Sequence, residues 1–173
     1  MISIISGTNR TPNNSEIIAQ IYRRILEEKG HSPQVLPLTN LPPNIIATDL
    51  YGKRSKAFQP IQELVTATEK FIFIVPEYNG SFPGVLKVFI DACSFPESFM
   101  GKKAALVGHS TGRYGNIRGI EHFTGICHYC GLHVLPLKLH IPRVQHEFDQ
   151  NGSLQQGDAH RFIHQQINQF LSF

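Results

Sequence analysis

The 173-residue chain has no tryptophan, only 3 cysteines and only 17% charged residues. The missing tryptophan decides nothing, but the other two scarcities do. An odd, small number of cysteines does not make a secreted disulfide framework and suits a reducing compartment, so the expected location is cytoplasmic. Low charge beside 41% hydrophobic residues excludes a disordered or coiled-coil chain and points to a well-cored globular protein. No window approaches the roughly 18 apolar residues of a membrane span, and no basic region precedes an apolar segment at the N-terminus, so no membrane partner is expected. The 16 basic residues are scattered rather than gathered into a stripe. A net charge of +3 therefore admits anionic ligands but argues against nucleic acid.

What the chain does have is alternation. Apolar runs suited to buried strands recur at "ISIIS" (2–6), "PQVLPL" (33–38), "FIFIV" (71–75), "AALVGH" (104–109) and "HVLPLKL" (133–139). Helical patterns separate them. The first begins with Asn14 or Ser15 as its cap and stops at Gly30; others lie near 57–68, from about Pro83, over 117–129 and over 158–171. No repeat appears, and the length fits a single domain covering 1–173. This pattern predicts an α/β three-layer sandwich with a five-stranded parallel sheet in the flavodoxin-like order 2-1-3-4-5 and helices on both faces. Two irregular insertions, 39–54 and 140–157, are long enough to serve as functional or interface loops.

In such sheets ligands sit beyond the carboxyl ends of the strands, where the winding reverses. The loop after the first strand, "SGTNRTPNNS" (6–15), supplies Thr8, Arg10, Asn13, Asn14 and Ser15 around the free amides of a helix N-terminus, which suits a phosphate as well as an ordinary capped loop. It is neither a dinucleotide fingerprint nor a P-loop, since G-x-G-x-x-G and G-x-x-x-x-G-K are both absent there. Nor are there the clustered aspartates of a phospho-receiver. The loops after the third strand, "PEYNGSFPG" (76–84), and the fourth, "GHSTGRYGNIRG" (108–119), are rich in glycine, which lets a backbone approach a flat ring. A planar ligand with a phosphate tail is the combined expectation.

The segment "PEYNGSFPGVLKVFIDA" resembles the signature of the NADPH-dependent FMN reductase family, flavodoxin-like enzymes that include quinone, azo-dye and chromate reductases. "GTNR" with "NNS" is similar to that family's phosphate loop, "STGRYGNIRG" to its glycine-rich loop, and "FDQNGSL" (148–154) to its acidic turn before the last helix. The resemblance implies that Thr8, Arg10, Asn14 and Ser15 hold the phosphate of FMN. It implies that Pro76, Glu77, Tyr78, Asn79 and Gly80 line the ring edge, with the amides of Glu77 to Gly80 turned to it. Ser110, Thr111, Gly112 and Gly115 would run along its other side through main-chain groups. Glu77 and Lys87 look partly structural in the family. The resemblance further implies NADPH or NADH as co-substrate, a small-molecule acceptor such as a quinone, free flavin or azo compound, ping-pong kinetics, and a homodimer or homotetramer. No catalytic side chain and no metal ligand is expected, because the flavin carries the chemistry. An electron carrier without reductase activity is the alternative, disfavoured because such flavodoxins are typically acidic.

Two departures stand out. Thr8 replaces the usual serine while keeping its hydroxyl, and Asn116 stands where a second glycine is common, with a side chain that could crowd the ring. Separately, Cys127-x-x-Cys130, flanked by His122, His128 and His133, has types and spacings that suggest zinc or a redox pair. Against this, Ile120, Phe123, Cys127 and Cys130 share one helical face, the pattern of core residues. The segment 39–54 mixes Leu41, Ile45, Ile46, Leu50 and Tyr51 with prolines and shows no helical face of its own, so a subunit interface is expected there and at the loops after the third and fourth strands.

Overall fold

A computed structural model describes residues 1–149 and 153–173. In chain order the elements are β1 (Ile2–Ser6), α1 (Asn14–Glu28), β2 (Gln34–Pro37), a 3-10 turn (Leu38–Asn40), α2 (Ile45–Thr48), α3 (Gln59–Ala67), β3 (Lys70–Pro76), α4 (Gly84–Ala92), β4 (Lys103–His109), α5 (Ile117–Tyr129), β5 (His133–Val134), β6 (Leu139–Ile141), a second 3-10 turn (Val144–His146) and α6 (Asp158–Ser172). The strands pair in parallel in the order β2-β1-β3-β4-β5, and β6 also pairs with β4. The fold is the flavodoxin-like α/β arrangement.

Side-chain alternation along β3 shows why the strands are continuously apolar. Phe71, Phe73 and Val75 enter one core with Phe58, Leu86, Phe89 and Phe123 from α3, its N-terminal flank, α4 and α5. Ile72 and Ile74 enter the other, with Ile18, Tyr22 and Ile25 of α1 and Ile163, Ile167 and Phe170 of α6. Both faces are covered, so neither can be polar.

Three expectations need correction. The cap of α1 is Asn13, whose Oδ1 accepts from the Glu16 amide at 2.9 Å, rather than Asn14 or Ser15, which already lie inside the helix. The run 133–139 is two strands. His133 and Val134 pair with Lys103 and Ala104, whereas Leu139 to Ile141 pair with Val107 to His109, so two extra residues bulge out between them at a proline, Pro136, that has no N–H to give the ladder. Residues 39–54 are also less exposed than expected. The short α2 turns Ile45 inward and Leu50 follows it into the core, with Leu41 packed against it, leaving Ile46 (67% exposed) and Tyr51 (93%) on the surface. The centre of the 148–154 turn lies outside the described residues; on its flanks Phe148 bridges Leu154 and the Ser153 amide donates to Asp149 Oδ1.

The gap between β5 and β6 is filled by a side chain. Gln166 of α6, fully buried, donates through Nε2 to Leu106 O of β4 at 3.0 Å and to Leu137 O of the bulge at 2.9 Å, while its Oε1 accepts from Tyr22 Oη at 2.6 Å. One amide thereby bridges a carbonyl of β4 to a carbonyl of the bulge and ties α1 to α6. Gln166→Leu should lower stability by about 2–4 kcal/mol, because three buried polar groups lose their partner at once, whereas Tyr22→Phe should cost only about 0.5–1.5 kcal/mol. Urea denaturation of both variants checks this; equal losses would mean that the gap is not held by Gln166.

Candidate functional site

The C-terminal ends of β1, β3 and β4 lie side by side, and the loops leaving them meet. A cleft of about 290 Å³ opens there, lined among others by Thr8, Arg10, Asn13, Asn14 and Ser15 from the first loop, Pro76 and Tyr78 from the second, and His109 and Thr111 from the third. The first two loops are joined by a 2.7 Å hydrogen bond between Thr8 Oγ1 and Tyr78 Oη, and Thr8 Oγ1 also accepts from the Arg10 amide at 3.2 Å. At the cleft floor Ser15 Oγ lies 2.7 Å from Nε2 of His109. Asn13 caps α1 and leaves the first-turn amides of Asn14 and Ser15 without a partner among the described residues. These amides, the helix dipole and the Arg10 guanidinium are groups whose polarity favours an anion.

The loop after β3 is a tight hairpin. Tyr78 and Ser81 exchange both backbone hydrogen bonds around Asn79 and Gly80, which have φ of 51° and 75°. Two successive positive φ values make a type I′ turn, for which Asn-Gly is the preferred pair. The turn corrects one expectation: the Tyr78 amide is spent on Ser81 and the Glu77 amide on His109 O at 3.0 Å, so only the Asn79 and Gly80 amides are free among the described residues. Glu77, Asn79 and Gly80 flank the cleft without lining it.

The loop after β4 is closed by its own serine. Ser110 Oγ donates to Gly112 O at 3.1 Å and accepts from the Gly115 amide at 3.0 Å. Ser110, Gly112 and Gly115 therefore shape this loop, and Thr111 alone of that group lines the cleft. Asn116 follows, left-handed at φ 64° and fully buried, and its Nδ2 donates to Val75 O and Pro76 O, each at 3.0 Å. The concern that it would crowd a ring is not realised, since the side chain is spent on the end of β3. Gly119 one turn on must be glycine, because a Cβ there would sit 2.1 Å from Asn116 Oδ1.

Pro12 and Ile17 complete the cleft wall and His109 lies at its floor, and sequence reasoning selected none of the three. Burial drives the His109 imidazole down to a pKa of about 4, so it is neutral near pH 7. Lys87, also singled out, forms a surface i,i+4 ion pair with Asp91 at 2.7 Å on α4. Cys127 lies in the core beside Phe123 and Cys130 caps the end of α5; burial pushes the Cys127 thiol well above its ordinary pKa, the opposite of a reactive redox cysteine. Among the described residues no helix is long and apolar enough to cross a membrane.

Against known proteins, residues 1–146 match the model of the NADPH-dependent FMN reductases. The chain belongs to that family. It is 36% identical over 168 residues to an NAD(P)H-dependent FMN reductase of Pseudomonas aeruginosa, covering 94% of this chain and 89% of the relative. A 2-hydroxy-1,4-benzoquinone reductase of a Burkholderia species is 25% identical over 116 residues, 65% of this chain and 63% of its own length. In structure the chain superimposes on FerB, a flavoenzyme NAD(P)H:(acceptor) oxidoreductase of Paracoccus denitrificans, with a TM-score of 0.79 at 18% identity, over 99% of this chain and 94% of the other. Membership makes this FMN reductase-family chain an oxidoreductase that uses FMN as cofactor and NAD(P)H as co-substrate.

The residues present fit that cofactor. The cleft offers neutral hydroxyl and amide donors plus one guanidinium, the chemistry of a monophosphate site, and the neighbouring loops offer free amides rather than bulky side chains. Everything there depends on the two loops staying in register, which Asn116 enforces. Asn116→Ala should cost about 2–4 kcal/mol, from two lost buried hydrogen bonds and a left-handed alanine; Asn116→Gly removes the bonds without the strain and should fall below that. Thermal or urea unfolding gives the comparison, and equal losses would remove backbone strain from the account.

Proposed function

We propose that residues 1–173 act as one flavodoxin-like unit that carries FMN at the junction of β1, β3 and β4 and passes electrons from NAD(P)H to a quinone, free flavin, azo or similar small acceptor by a ping-pong mechanism. The observation that carries this reading is the cleft itself, where an anion-ready helix N-terminus and two glycine-bearing loops converge. Arg10 pairs with the phosphate, while the Asn14 and Ser15 amides and the Thr8 and Ser15 hydroxyls donate to it. Pro76, Glu77, Tyr78, Asn79 and Gly80 form one edge of the ring site. Ser110, Thr111, Gly112 and Gly115 form the other, with the free amides of Asn79 and Gly80 available to the ring's polar edge. When bound, FMN supplies the redox chemistry, taking electrons from a nicotinamide and giving them to the acceptor. The chain's own part is to bind, to orient and to leave one open face that both substrates use in turn. The name of the Burkholderia relative supports a quinone as one acceptor. Three free thiols suit the cytoplasm.

Calorimetry of Arg10→Ala tests the phosphate assignment. It should weaken FMN by about 1.5–3 kcal/mol, the scale of a charge-assisted hydrogen bond, without altering the unfolding midpoint of the apoprotein. An unchanged dissociation constant would mean that the guanidinium points to solvent.

The same reading includes a homodimer or homotetramer with 39–54 at the interface. Its support is two exposed apolar side chains, Ile46, which lines a groove with Val85 and Val88 of α4, and Tyr51. Light scattering at micromolar concentration should give at least twice the 19.5 kDa chain mass. Ile46→Glu should shift the population toward monomer by burying an unpaired charge in the contact. A wild-type monomer that oxidises NADPH with FMN bound would sink the assignment.

A further inference from the structure

Ser15 and His109 pose a problem of hydrogens. Both are buried, their polar atoms are 2.7 Å apart, and both border the cleft. Ser15 Oγ has one hydrogen and no other partner among the described residues. If that hydrogen points to a bare Nε2, the serine shows the cleft only lone pairs, which repel the oxygens of an anion. If instead Nε2 carries hydrogen and donates to Ser15 Oγ, the serine hydrogen is free to turn outward.

The ring's own needs favour the second arrangement. Burial keeps the imidazole neutral near pH 7, so it has a single N–H to place. Nδ1 has no hydrogen-bond partner among the described residues, whereas an N–H at Nε2 is received by Ser15 inside the protein. Which nitrogen is protonated therefore decides whether this corner of the cleft attracts or repels a phosphate.

We propose that His109 is a positioning residue for the flavin phosphate: as the Nε2–H tautomer it donates to Ser15 Oγ and so turns the serine hydroxyl into a donor aimed at the phosphate. The proposal rests on the phosphate reading of the cleft given above. The ring touches no reacting atom and acts through Ser15. It also gives the cleft a hydroxyl donor without placing a second cation beside Arg10.

Riboflavin, which lacks the phosphate, separates this role from a structural one. Wild-type protein should bind FMN more tightly than riboflavin. His109→Leu should weaken FMN about tenfold and leave riboflavin unchanged, while His109→Gln, whose Nε2 can still donate to Ser15, should keep FMN within about threefold of wild type. Ser15→Ala combined with His109→Leu should be no worse than Ser15→Ala alone. If wild type prefers FMN and His109→Leu keeps the same preference, or loses both flavins equally, His109 has no positioning role. If wild type binds the two flavins equally, the phosphate reading itself falls and takes the proposal with it. Should His109→Leu not fold, nitrogen NMR of wild-type protein with labelled histidine decides: Nε2 should be the protonated, pyrrole-type nitrogen in the FMN complex, and a bare Nε2 overturns the proposal.

Discussion

The arrangement of the site depends on a single buried amide. At the end of β3, Pro76 still pairs with His109 of β4 and the Glu77 amide donates to His109 O, while the carbonyls of Val75 and Pro76 both face a side chain as well. Asn116 answers both with one NH₂ group. Because a primary amide has two hydrogens on one nitrogen, it can hold two successive carbonyls where a backbone N–H could hold only one. To reach them the backbone must enter the left-handed region immediately before α5, which asparagine tolerates better than any residue but glycine. A glycine there would accept the turn and give no amide. The cost is visible in the buried Oδ1, which has no hydrogen-bond partner among the described residues, and in the requirement that residue 119 have no side chain.

The same device recurs at the other end of the sheet, where Gln166 stands in for a missing stretch of strand. In both places the ladder is near its end, and a side-chain amide from a neighbouring helix or its cap adds donors there. Parallel sheets buried on both faces have no water to fall back on, so every interruption of the ladder must be answered from within. The interruptions fall where the chain leaves its ladder for the loops around the cleft and where the bulge at Pro136 opens the outer strand. Function at a sheet edge and polar helix residues in the core are thus linked causes.

How much of this could be read from the sequence follows the same division. Continuous apolar runs marked the strands because burial on both faces leaves a strong one-dimensional signal, and their alternation with helices suited the flavodoxin-like order that the sheet has. That Thr8, Arg10, Asn14 and Ser15 gather at one helix start was legible because loop chemistry there is local. The split of the fifth strand was not, since Pro136 could equally have ended a strand or stood at its edge; only the register on β4 separates the two. The burial of Ile45 and Leu50 was hidden because α2 is one turn long and has no periodicity to detect. The partners of Asn116, Gln166 and His109 lie 40 or more, 29 or more, and 94 residues away in sequence, and no local pattern encodes such pairs.

The cleft's polarity is set from behind. Its two buried hydroxyls, Thr8 and Ser15, each have one hydrogen to give, and each is backed by the polar atom of a ring, Tyr78 Oη for the first and His109 Nε2 for the second. Thr8 Oγ1 already accepts the Arg10 amide, so when Tyr78 donates to it as well, its lone pairs are filled and its hydrogen is left over for the cleft. A hydroxyl is neutral about sign and will donate or accept as its surroundings dictate. Supplying its acceptor side from the protein interior converts it into a fixed donor. On the proposed phosphate reading, two hydroxyls and two helix amides prepared in this way would neutralise much of a phosphate's charge with one guanidinium at the rim, so that a chain of net charge +3, with its basic residues dispersed, would hold a dianion without a cluster of lysines.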